Sequence, residues 1–247
     1  MTWHPGSESG RLSAAELYEN ARAEQALVLS IGGPTAPWEE CAVAFQSSYP
    51  GIEVAIDGGF SNVLTPKIDK QISDGKLGVD VAVLQTLQDF ARWKRTGQLL
   101  RFVPEGWETI DATFKDPDAE WVGITVNLIA YTYNSEHVQS ADIPQSALDF
   151  LQPQFRGKAV TPYPADDDVT LYRFHTIVQR YGWEFMDRYM ANEPNFIQGH
   201  LGALRSISAG DNLVTFDMIA ALTLLEKAEG KPAELAFPSL DPMPIWA

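Results

Sequence analysis

ALVLSIGG at residues 26–33, IEVAIDGGF at 52–60 and DVAVLQT at 80–86 are three short apolar runs, each ending in glycine or polar turn residues. Runs of this length and composition read as strands buried on both faces. Between the first two, Trp38, Cys41, Ala42 and Phe45 recur at helical spacing, and Tyr49-Pro50-Gly51 ends the helix, so Cys41 is expected in the core. Between the second and third, Ser61 or Asn62 can cap a helix running to about Ser73. The order is β-α-β-α-β. Strands joined through helices cannot be hairpin partners, so they form a parallel sheet flanked by helices, with a ligand crevice beyond the strands' C-terminal ends. Gly32, Gly33, Ser61, Asn62, Gln85 and Thr86 all fall at such ends and are the candidate ligand contacts there.

Upstream, Ser13-Ala14-Ala15-Glu16 is a capping-box pattern that starts a helix to about Gln25, and residues 1–12 read as a flexible arm. Downstream, 98–120 is irregular, and Trp121 to Tyr133 is a β-prone stretch long enough to leave one lobe and enter another. Helices near 144–151, 169–180, 183–191, 201–208 and 217–229 then alternate with strands near 158–161, 212–214 and 233–237. The expected division is a first α/β lobe of residues 13–132 plus 236–247 and a second of 133–235. Tyr133 stands at the crossing, where it can face a cleft and act as a hinge.

The chain has 247 residues, 45% hydrophobic and 21% charged, which suits a folded protein with a large interior. Its 18 Lys+Arg against 33 Asp+Glu leave a net charge of −15, which disfavours nucleic acid and anionic membrane surfaces. No apolar run has the ~18 residues of a membrane-spanning helix. One cysteine excludes an internal disulfide, and no secretory signal is visible after Met1, which leaves a cytoplasmic location open.

Phosphate-loop, dinucleotide, nucleophile-elbow, zinc-protease and C-x-x-C patterns are all missing, so neither a catalytic residue nor a cofactor or metal site is expected. The four histidines are scattered, and His175 shares a helical face with Leu171 and Val178, which favours a core or interface role. Asp166-Asp167-Asp168 precedes a helix whose cap needs one carboxylate; the others are either solvated or contact a ligand amine, a metal ion or Arg173. The glycine pairs at 32–33 and 58–59 read either as plain turns or as helix starts that attract an anion.

Eight segments in order, among them LYENARAEQALVLSIGG (17–33), AFQSSYPGIEV (44–54), GVDVAVLQT (78–86), YTYNSEHV (131–138), FLQPQFRGK (150–158) and ISAGDNLV (207–214), resemble the extracytoplasmic solute-binding proteins of ABC importers, in their iron(III)/thiamine/phosphonate-type branch. The resemblance implies the two-lobe type II periplasmic-binding fold, a small polar solute (a zwitterion, a carboxylate or phosphonate, or a metal-bridged anion) captured between lobes, an ABC permease as partner, a monomer, and a periplasmic or extracellular location. By position it carries ligand contact onto Gly32, Gly33, Ser61, Asn62, Gln85, Thr86, Tyr133 and Asp166 to Asp168. A thiamine-precursor-type enzyme and a non-transporting paralogue on the same fold are the alternatives. Iron-binding members of the family carry a tyrosine pair where this chain has Thr215-Phe216-Asp217, so phenolate ligation of iron is not expected. The family also continues with helices that pack back on the first lobe, so a chain ending soon after FPSLDP is expected to leave apolar surface of that lobe uncovered.

Overall fold

A computed structural model describes residues 13–246. The expected arm at 1–12 lies outside them. The chain divides into two compact units, one running to Val122 and the other starting at Gly123.

The first unit contains α1 (Ala14–Glu24), β1 (Ala26–Gly32), α2 (Ala36–Ser48), β2 (Glu53–Gly59), α3 (Ser61–Ser73), β3 (Val81–Val83) and α4 (Leu87–Arg95). Ser13 and Glu16 close the capping box that starts α1. The sheet order is β2-β1-β3, all parallel. From β1 the chain steps to one side, then returns past β1 to the other, so right-handed crossovers put α2 and α3 on opposite faces. That reversal makes the C-terminal ends of β1 and β3 the switch point of the sheet.

On the α3 side, Leu64, Ile68, Leu84 and Trp93 form the unit's buried cluster. On the other face the register lines up Leu29 with Ile56 and Val81, and Ile31 with Val83. That face is thinly covered: Val81 stays 45% exposed, and α2 has no fully buried residue. Cys41 is exposed, contrary to the expectation, because α2 leans on β2 through a half-buried stripe of Trp38, Ala42 and Phe45.

The second unit holds β4 (Asn127–Asn134), β5 (Val160–Pro162), α5 (Asp168–Tyr181), α6 (Trp183–Ala191), β6 (Asn195–Ile197), α7 (Gly199–Ser208), β7 (Val214–Ile219), α8 (Ala220–Ala228), β8 (Ala233–Ala236) and β9 (Ile245–Trp246). Its main sheet is antiparallel, with β4 between β7 and β8 and with β9 also paired to β4; only β5 and β6 pair in parallel. In the second unit the expected parallel arrangement is confined to the β5-β6 pair. A core of Tyr131, Phe150, Phe155, Phe174, Tyr189 and Phe216, with their neighbours, packs beneath it.

Three boundaries differ from the sequence reading. The division does not fall at residue 133, because β4 is one continuous strand at the centre of this sheet and a cut there would sever its ladders. Residues 236–246 do not join the first unit: β9 pairs with β4, Ile129 N–H donates to Pro244 O at 2.9 Å, and the Asp241 carboxylate accepts from Tyr131 Oη and from Ala147 N–H, both at 2.6 Å. The expected helix near 144–151 is a short 3-10 turn at Ala147–Leu151.

Candidate functional site

At the switch point of the first unit, Ser61 opens α3 with its side chain folded inward and 5% exposed. Its Oγ accepts the backbone N–H of Gln85 at 3.0 Å, which ties the start of α3 to the end of β3. A Cβ on Gly32 would stand 2.2 Å from that oxygen, so only glycine lets β1 approach Ser61 this closely. Gly33 has φ +99°, a conformation that disfavours side chains, and its N–H donates to Gly59 O at 2.8 Å. Three candidates named from sequence, Gly32, Ser61 and Gln85, are thus brought together.

Among the described residues no side chain caps α2, α3 or α4, whose starts follow β1, β2 and β3. The residue before α3 is Phe60, whose side chain has no polar group to offer, and the first turn of α3 carries no acid. A helix start without an acid keeps the positive end of its dipole, and at α3 the N–H groups of Val63 and Leu64 donate to Phe60 O at 2.9 and 3.0 Å. Asn62, in that first turn, is exposed.

Thr86 is buried and faces the interior. Its hydroxyl is 3.3 Å from that of Thr65, which donates to Asp89 Oδ2 at 2.7 Å. Asp89 also receives Arg92 at 2.8 Å, and Arg92 grips Asp69 with two bonds of 2.9 and 2.8 Å while Trp93 Nε1 donates to Asp69 at 2.8 Å. Burial works against the Asp69 charge, but the Arg92 and Trp93 donors hold its carboxyl below the usual range. The network clamps α3 to α4 and so fixes the two helix starts next to Gln85.

In the second unit Asp167 is the cap of α5. Its Oδ1 accepts from the N–H groups of Val169 at 2.9 Å and Thr170 at 3.2 Å, and the side chain is 7% exposed. Its other oxygen is 3.1 Å from His200 Nδ1, and His200 Nε2 is 3.5 Å from Asp217 Oδ2. Burial opposes a charge on His200, yet Asp217 and then Asp167 outweigh it and push the imidazole up to about 10. The helix start at 168 is therefore closed to an anion by its own carboxylate. Asp166 and Asp168 flank the cap, half-buried.

Tyr133 lies inside the second unit, paired with Val214 and Glu234, with its ring against the core. It is therefore not at a crossing between units, because β4 belongs wholly to the second. Tyr163 stacks on Phe196 with centroids 5.7 Å apart. His175 is exposed, as is Leu171 beside it, since the buried face of α5 is Val169, Thr170, Arg173, Phe174 and Ile177. Thr215-Phe216-Asp217 is strand, not a helix start. Phe216 is fully buried among Phe150, Phe174 and Tyr189, so its ring is a core element and faces no ligand. His200 and Asp217 were not singled out from sequence, where nothing marks two residues that meet only through tertiary packing.

Among the described residues no group of three or more His, Cys, Asp or Glu is arranged to hold a metal ion. No helix among them is long and apolar enough to cross a membrane.

The fold is the type II periplasmic-binding fold. Three solved structures share the architecture: iron-bound HitA from Pseudomonas aeruginosa (20% identity, TM-score 0.71, 86% of this chain and 69% of that one), AfuA from Actinobacillus pleuropneumoniae with fructose-6-phosphate bound (19%, 0.73, 89% and 71%), and the substrate binding protein of an ABC transporter from Agrobacterium tumefaciens (14%, 0.75, 88% and 67%). Residues 79–199 match the family described as bacterial extracellular solute-binding protein, which bears out the resemblance drawn from the sequence segments. No curated protein sequence matches the chain.

Proposed function

We propose that this protein captures a small polar solute at the strand ends of its first unit and hands it to an ABC-type permease outside the cytoplasmic membrane. The observation that carries the reading is the junction of Gly32, Ser61 and Gln85 at the switch point, beside the start of α3, whose first turn carries no acid. Parallel α/β sheets hold ligands at this point, and a helix start without a side-chain acceptor favours a carboxylate, phosphonate or phosphate oxygen. The fructose-6-phosphate bound by AfuA carries such a phosphate group, which supports an oxyanion as cargo. Catalysis is not part of the proposal, since the family matched is one of binding proteins.

For this chain the proposed solute is a zwitterion, a carboxylate or phosphonate, or a metal-bridged anion, with its oxygen end on Ser61 and Asn62. Asp166 and Asp168 are kept as proposed ligand contacts of the second unit in their own right, whereas Asp167 is engaged inward by its own helix and by His200. A thermal-shift panel of carboxylates, phosphonates, sugar phosphates, amino acids and ferric citrate tests the reading, because a ligand of the folded form raises the melting temperature by mass action. A hit that Gly32→Val abolishes supports it. Silence across the panel, or a hit indifferent to Gly32→Val and Ser61→Ala, overturns it.

A further inference from the structure

Arg173 is the largest fully buried side chain, 1% exposed, and among the described residues no carboxylate lies within ion-pair distance of it. Its Nε donates to Phe216 O at 3.1 Å, its Nη1 donates to Pro242 O at 3.1 Å, and its Nη2 has no partner. The guanidinium lies over the Tyr131 ring, 5.3 Å from its centroid. A buried cation in this state is costly, since carbonyl oxygens replace only part of its hydration.

The three nitrogens have different surroundings. Phe216 belongs to β7 inside the sheet and fixes the plane of the guanidinium through Nε. Pro242 belongs to the strap Phe237–Trp246, is itself exposed, and turns its carbonyl inward onto Nη1. The Nη1/Nη2 edge is the fork that takes a carboxylate or phosphate with two parallel bonds. Here one prong is occupied by a backbone carbonyl of the strap and the other is empty.

The strap is one layer thick over this edge. It is pinned at Asp241, which receives Tyr131, Tyr181, Arg180 and Ala147 N–H, and at its far end by the β9 pairing and the Trp246 ring against Tyr172. Between these pins Pro242 is exposed.

We propose that Arg173 is an oxyanion anchor of the second unit, held shut by the strap, with Pro242 O standing in for one oxygen of a phosphate or carboxylate group that binds when the strap lifts. The site is built from residues of the second unit alone.

Inorganic phosphate, titrated by calorimetry into the full chain, tests the proposal. Asp241→Asn loosens the strap. If its open fraction rises tenfold, the apparent phosphate Kd falls about tenfold, as for any site whose competent state is scarce. Adding Arg173→Gln to that variant is expected to remove the gain. Hydrogen exchange at Leu240 to Trp246 reports whether the strap has been freed, and Trp246→Gly provides a second way to free it if Asp241→Asn does not fold. A freed strap without a gain in affinity overturns the proposal. So does a gain that survives Arg173→Gln, and so does a strap that neither substitution frees.

Discussion

Asp167 Oδ2 and His200 Nδ1 lie 3.1 Å apart, joining the first turn of α5 to the first turn of α7 inside the second unit. A cationic imidazole at a helix start runs against the helix dipole. It persists here because Asp217, on β7, faces its other nitrogen. The charge balance couples three elements, so its loss loosens all of them at once.

The pH dependence follows from the direction of the shift. With His200 raised to about 10 in the folded protein, from an ordinary value of 6.5, the stabilisation is complete below about pH 6.5 and drains away as pH rises through 10. The melting temperature is expected to fall across that window. His200→Gln should flatten the dependence and cost about 3–5 kcal/mol in urea unfolding at pH 6, the scale of breaking a buried ion pair from one side. A variant whose stability still declines from pH 6.5 to 10 as in the parent assigns the effect elsewhere.

Gly32→Ala is expected to destabilise the first unit by about 1–3 kcal/mol, because the new methyl displaces Ser61 Oγ and strands the Gln85 N–H. Gly32→Ala combined with Ser61→Gly removes the clash and should be milder than Gly32→Ala alone. Chemical denaturation of the two variants and of Ser61→Gly closes the cycle, and additive losses would mean that the two residues do not interact.

Much of the first unit was legible because its period is local. The runs at 26–33, 52–60 and 80–86 announce strands, and glycines at their ends announce turns, so Gly32, Ser61 and Gln85 could be placed together before any coordinates. The second unit was less legible. Val214–Ile219 holds Thr215, just past the strand expected near 212–214, and Asp217, the start of the helix expected to 229, yet both are fully buried in a strand. Asp217 is tolerated there only because His200, 17 residues earlier, is brought against it, and such pairing leaves no local trace in one sequence. The cap role of the acidic turn could be read; that Asp167 fills it and also holds His200 could not. The segment from Phe237 is short and proline-rich, so nothing in its pattern indicated which unit it would join.

Arg92 grips Asp69 bidentately and also reaches Asp89, but its side chain is 40% exposed, so solvent screens the pair. Arg92→Lys is therefore expected to cost only about 0.5–1 kcal/mol. Its signature is acid sensitivity. The depressed Asp69 carboxyl contributes stability that is present above its unfolded value near 4 and lost as pH falls through the folded one, and this loss should shrink in the lysine variant. Identical acid transitions in parent and variant would show that Arg92 does not set the Asp69 titration.

Phe216→Tyr tests whether the position expected to face a cleft can be given iron chemistry. The ring is fully buried, edge-on to Phe150 and Phe174 and tilted against Tyr189, with its para carbon inside the aromatic core. A hydroxyl added there finds no water, and Tyr189 Oη nearby is itself without a partner. Burying an unpaired phenol costs about 1–3 kcal/mol, so Phe216→Tyr should unfold at lower denaturant than the parent while keeping its fold. Because neither ring reaches solvent, ferric citrate should give no phenolate charge-transfer colour with parent or variant. Colour that develops in the variant alone would mean that residue 216 faces a ligand, and it would overturn the placement of this ring in the core.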